Sequence, residues 1–88
     1  MESFSPINKE VTVNSYYFTK QTRTLKSFPH EIEVDGHDVT FVDSGLSFLI
    51  KKGQGLVRLF DMNDGNSTYR LRLEDNQWAL VGMKVGIV

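Results

Sequence analysis

The chain has 88 residues, 40% hydrophobic and 24% charged, which suits one domain with a single modest core and leaves little room for a deep catalytic cleft. Ten Lys and Arg against eleven Asp and Glu give a formal charge of −1, so attraction to nucleic acid or to an acidic membrane must come from a local patch. The absence of cysteine excludes disulfides, thiolate catalysis and Cys-based metal centres.

Residues 1–9, with Pro6 among them, read as a flexible N-terminal segment, which leaves 10–88 as one β-barrel-like domain. The start has no basic cluster and no apolar run. No stretch approaches the roughly 18 apolar residues of a spanning helix, so a cytoplasmic protein with no membrane partner is expected. The Asn66-Ser67-Thr68 triplet fits a glycosylation acceptor, but without an export signal it reads as chance.

From Val11 onward apolar and polar residues alternate with period two, Val, Ile, Tyr, Phe and Thr are plentiful, and turn signals interrupt the pattern. "EVTVNSYYFTKQTRTLKSFP" predicts a hairpin turning near Gln21, with a break or bulge at Pro29. Asp35-Gly36 is a type I′ hairpin signal, because both central positions of that turn need positive φ, and it sets Ile32 against Val39. A turn at Ser44-Gly45 would set Phe41 against Phe48 and Val39 against Ile50. A loop through Lys52–Gly55 sets Ile50 against Val57 and Phe48 against Leu59.

Asn63-Asp64-Gly65 suits a three-residue loop, which sets Leu59 against Tyr69 and Val57 against Leu71. Arg58 then stands opposite Arg70. Asp75-Asn76 closes the last hairpin, with Leu71 against Leu80 and Leu73 against Trp78. These registers agree on one inner face carrying Ile32, Phe41, Phe48, Ile50, Val57, Leu59, Leu71, Trp78 and Leu80. The expected fold is all-β, a single small antiparallel meander of about seven strands closed as a barrel or roll, since no helix is available to cover the apolar face.

Few residues suggest chemistry. His30 and His37, near Asp35 and Asp38, lie about 13 Å apart at strand rise, too far to share a zinc ion whose ligands sit at about 2.1 Å. Glu31, Glu33 and Asp38 share an outer face and read as a solvated acidic strand, since a general acid needs burial to tune it. "KKGQG" is followed by strand residues, whereas a phosphate loop opens a helix. No nucleophile elbow or dinucleotide fingerprint occurs, so the expectation is a non-enzymatic domain with no cofactor and no metal.

Two surfaces remain. The predicted registers place Arg58, Phe60, Thr68, Arg70 and Arg72 on one outer face, with Lys51 and Lys52 at the neighbouring turn. Such an Arg/Phe surface could stack bases and pair phosphates. In "WALVGMKVGIV" the residues facing away from Trp78 and Leu80, namely Ala79, Val81, Met83 and Val85, are apolar too, and a strand apolar on both sides needs cover on both. Phe4 and Ile7 of the N-terminal segment or a second copy of the chain would supply it. The leading expectation is therefore a protein-interaction module that docks a partner, or its own copy as a homodimer, through the last strand. A small nucleic-acid-binding barrel using the arginine face is the alternative.

Overall fold

Asp35 and Gly36 take φ values of 53° and 78°, the two left-handed positions of a type I′ turn, and set Ile32 opposite Val39 as the dipeptide predicts. The computed structural model describes residues 4–21, 24–42 and 45–86. Its strands are β1 (Ser5–Glu10), β2 (Thr12–Gln21), β3 (Thr24–Val34), β4 (His37–Thr40), β5 (Leu46–Lys52), β6 (Gly55–Asn63), β7 (Ser67–Glu74) and β8 (Gln77–Val85).

All pairings are antiparallel and fall into two sheets, one ordered β1-β8-β7-β6-β5 and the other β2-β3-β4. The expected all-β antiparallel class holds. The barrel alternative does not, because the described strands form two sheets and close no barrel. The meander breaks after β4. Phe41 N still donates to His30 O at 2.7 Å, continuing the smaller sheet, but Val42 N donates to Asn63 O at 3.0 Å, across in the larger one. The chain thus changes sheets between adjacent residues, and Phe41 becomes fully buried at the crossing.

The Ser44-Gly45 turn falls partly outside the described residues, and the pairs expected from it, Phe41 with Phe48 and Val39 with Ile50, do not form. Phe48 and Ile50 instead pair with Leu59 and Val57 of β6, in the register predicted from the following turn, whose Gly53 takes φ 58°.

The core lies between the sheets. Phe28 and Ile32 of β3 and Phe41 meet Phe60 and Met62 of β6, Tyr69 and Leu71 of β7, and Leu80 of β8. Phe28 and Phe60 pack edge to face at 6.0 Å, and Phe41 and Tyr69 at 5.5 Å. β3 runs unbroken through Pro29. The irregularity expected there appears as two successive register shifts against β2, between Val13 and Ser15 and between Ser15 and Tyr16.

Residues 5–10, expected to be loose, form β1 and lie along β8. Val11 N extends this contact by donating to Trp78 O at 3.1 Å. Their sparse apolar content conceals what holds them: backbone pairing, with Ile7 packed against the core and Lys9 paired with Asp35.

Candidate interaction surface

The turn between β6 and β7 decides where the arginines go. Asp64 Oδ1 accepts hydrogen bonds from Asn66 N at 2.9 Å and Ser67 N at 2.8 Å, and its Oδ2 accepts one from the Tyr69 hydroxyl at 2.9 Å. This Asx-type turn lengthens the loop, so that Asn63 pairs with Thr68, Met62 with Tyr69, and Phe60 with Leu71. The three-residue loop expected from Asn63-Asp64-Gly65 is therefore corrected, and with it the side of β6 that faces the core. Phe60 and Met62 turn inward, while Val57 and Leu59 turn to the opposite face, where Val57 is nonetheless buried, as expected, and Leu59 is half-buried.

Arg58 consequently does not face Arg70. Arg58 is exposed at the end of the inner face, its guanidinium carbon 6.0 Å from the centroid of the buried Phe60 ring. Arg70 lies on the outer face opposite Asp61 and binds its carboxylate through Nε and Nη2, each at 2.8 Å. The same guanidinium sits over Phe4 at 4.1 Å, and Lys84 Nζ lies 5.2 Å from that ring. The hydrogen bonds it donates to Asp61 hold the Arg70 guanidinium above its ordinary pKa.

Arg72 is 3.7 Å from Glu74, and Lys52 is 3.9 Å from the same side chain. Lys51 and Lys52 are both exposed beside the β5–β6 turn and point to opposite faces. Arg58, Phe60, Arg70, Arg72, Lys51 and Lys52 therefore form no single surface.

The apolar residues read from the last strand are separated as well. A bulge at Val81 moves the β7–β8 register by one residue, from Leu71 opposite Leu80 to Arg70 opposite Gly82. Beyond it the alternation changes phase. Met83 pairs with Tyr69 and packs on the core, rather than facing outward. Ala79 is buried, and Val85 is exposed near the strand end. Phe4 covers the outer face at Gly82, where an added Cβ would meet its side chain at 3.2 Å. One part of the sequence reading holds here: the N-terminal segment does lie against the last strand.

The uncovered surface lies at the other end of the larger sheet. Among the described residues β5 has only β6 as a strand neighbour, and every residue from Leu46 to Lys52 is exposed. The smaller sheet packs on the inner face of the larger one and leaves Leu49 and Leu56 exposed there, while on the outer face Leu46, Phe48 and Ile50 turn away from it altogether. Leu46, Phe48 and Ile50 lie on the outer face and Leu49 and Leu56 on the inner one, each between 42% and 63% exposed. Phe48 and Ile50, expected in the core, belong to this surface instead. Leu49, Leu56, Arg58 and Leu73 line a groove of about 430 Å³ beside it, together with Asp75 and Asn76.

The sequence carries a signal for this edge. "LSFLI" and "GLVRLF" carry apolar residues in both phases of the period-two pattern, the same two-sidedness noted in the last strand. No protein-family model, no curated protein and no solved structure matches the chain, so its functional reading rests on these surfaces.

Proposed function

We propose that the chain is a non-enzymatic protein-interaction module that docks a partner strand on the free edge of β5. The observation that carries this reading is an edge strand exposed along its whole length and flanked by apolar side chains on both faces. Strand addition suits such an edge, because the backbone supplies hydrogen bonds and alternate side chains supply the apolar contact on each face. Nucleic-acid binding draws no support from the separated arginines, of which Arg70 is already occupied by Asp61.

The backbone groups available to a partner follow from the hairpin. Lys52 pairs with Gly55 across a two-residue turn, which makes it a hydrogen-bonded pair. Lys52, Ile50, Phe48 and Leu46 then direct their N–H and C=O groups toward β6. Ser47, Leu49 and Lys51 direct theirs outward. Amide hydrogen exchange on dilute protein tests the reading: Ser47, Leu49 and Lys51 should exchange rapidly while Phe48 and Ile50 are protected by β6. Slow exchange at those three amides in a monomer would mean that the edge is already capped, and the reading would fall.

A further inference from the structure

We propose that the partner on the β5 edge is a second copy of this chain, paired antiparallel about Leu49 so that two five-stranded sheets continue as one. The proposal rests on the edge reading above and names its occupant.

The first support is the pattern of outward backbone groups. A two-fold axis at Leu49 makes Leu49 and its copy a hydrogen-bonded pair and sets Ser47 against Lys51 of the second copy. All three residues with outward N–H and C=O groups on each chain are then satisfied, without changing the pairing to β6. Since 46 and 52 are equidistant from 49, this register also pairs all seven residues of β5. An axis at Phe48 or Ile50 leaves part of the strand unpaired.

The second support is chemical self-complementarity. With the axis at Leu49, Phe48 faces Ile50 of the second copy on the outer side of the sheet, and the two Leu49 side chains meet on the inner side beside the groove that Leu49 lines with Leu56 and Leu73. Both contacts cover side chains now in solvent. Charge selects the direction. Lys51 and Lys52 lie together at one end of β5, so parallel pairing would set lysine beside lysine. Antiparallel pairing places them at opposite ends, against Ser47 and Leu46. Because the contact uses the same patch on both chains, it closes as a dimer and leaves β1 as the outer edge of each sheet.

The test uses the full chain. Sedimentation equilibrium should show a concentration-dependent dimer, with Ser47, Leu49 and Lys51 amides slowing as the dimer forms. Leu49→Lys places two like charges at the axis and should raise the dissociation constant by at least about tenfold, and Ile50→Lys should act in the same direction. Both positions are exposed, so circular dichroism should show the monomer fold retained.

The native chain has no cysteine, which permits a direct probe of register. Hydrogen-bonded antiparallel partners have Cα atoms about 5.5 Å apart, within disulfide reach. Leu49→Cys should therefore oxidise to a covalent dimer far more readily than Leu46→Cys. A dimer that survives Leu49→Lys, with no cross-link through Leu49→Cys, would overturn the proposal. A monomer at all concentrations with those three amides in rapid exchange would overturn the second copy as occupant while leaving the edge open to another protein. A monomer with the same amides protected would remove the edge reading too.

Discussion

Arg70 on β7 stands directly opposite Asp61 on β6, and its guanidinium grips both oxygens of that carboxylate at 2.8 Å. The Asp61 side chain is 12% exposed and that of Arg70 33%, so the pair closes the outer face of the sheet around a charge largely withdrawn from water. Such a pair contributes less by its own attraction than its disruption costs, since removing one partner strands the other. The opposed arginines expected from the sequence would have predicted relief on truncation. The observed partner predicts the reverse.

Arg70→Ala should therefore destabilise the fold by about 1–3 kcal/mol, the cost of leaving a charged acceptor without its donors. Asp61→Asn should cost less, because an amide can still accept from the guanidinium. Urea unfolding of the two single variants and the double variant checks this. The double variant should be more stable than the sum of the single losses implies.

The β6–β7 turn links stability to pH at both ends of the scale. Burial pushes the Asp64 carboxyl up, but hydrogen bonds from the Asn66 and Ser67 amides and the Tyr69 hydroxyl outweigh it and hold the group below its ordinary value of 3.8. Burial, the hydrogen bond to Asp64 and that residue's negative charge push the Tyr69 phenol up to about 12 from 10.0. A carboxylate lowered in the folded state contributes stability that is fully present above 3.8 and is lost as pH falls through its folded value. A phenol raised in the folded state contributes stability that is intact below 10.0 and is lost as pH rises toward about 12. Denaturant midpoints should fall at both extremes. Tyr69→Phe should flatten the alkaline limb and cost about 0.5–1.5 kcal/mol at neutral pH for the lost hydrogen bond.

Truncations separate the core from the edge. Leu71 is fully buried between the sheets, and Leu71→Ala should cost about 2–5 kcal/mol through lost burial and the cavity left behind. Phe48→Ala, at a position expected in the core but exposed in the structure, should stay within about 0.5 kcal/mol in the monomer. Thermal unfolding at low protein concentration makes the comparison. A loss at Phe48 that grows with concentration would report the interface rather than the fold.

How much was legible follows from what each turn depends on. Asp35-Gly36 and Asp75-Asn76 act through backbone preference, with φ values from 53° to 78°, and their registers were readable from the residues alone. Asp64 acts through its side chain, which reaches Ser67 and Tyr69, so the loop length it enforces depends on contacts that a dipeptide signal does not contain. β6 could not correct that reading: Leu56, Phe60 and Met62 make one apolar phase, and Val57 and Leu59 make the other. The change of sheet at Phe41–Val42 and the bulge at Val81 likewise depend on the opposing sheet and on β1, which no alternation pattern records. The apolar edge of β5 is visible as composition, but Phe48 and Ile50 share a face with Leu59 and Val57, away from the smaller sheet, and no alternation pattern says which face that sheet covers.

Gly45 marks how the crossing chain is seated. Its backbone approaches β6 so closely that an added Cβ would lie 1.8 Å from the Asp61 carbonyl oxygen and 3.1 Å from the Met62 sulfur. No rotamer relieves a clash with backbone, so Gly45→Ala must move the start of β5 away from β6 or distort the strand that carries the Arg70–Asp61 pair. The expected loss is about 1–3 kcal/mol, as for other forced overpacking. Gly53 provides the control. It lies at the far end of the same hairpin with open space around its Cα, so Gly53→Ala meets only the cost of its positive φ. Amide exchange distinguishes the two substitutions. Gly45→Ala should release protection first at Leu46 and Phe48 and at their β6 partners Asp61 and Leu59, whereas Gly53→Ala should loosen Lys52 and Gly55 and leave the Asp61 end intact. Equal protection at Leu46 in both variants would show that the chain enters β5 by a looser path than the one described.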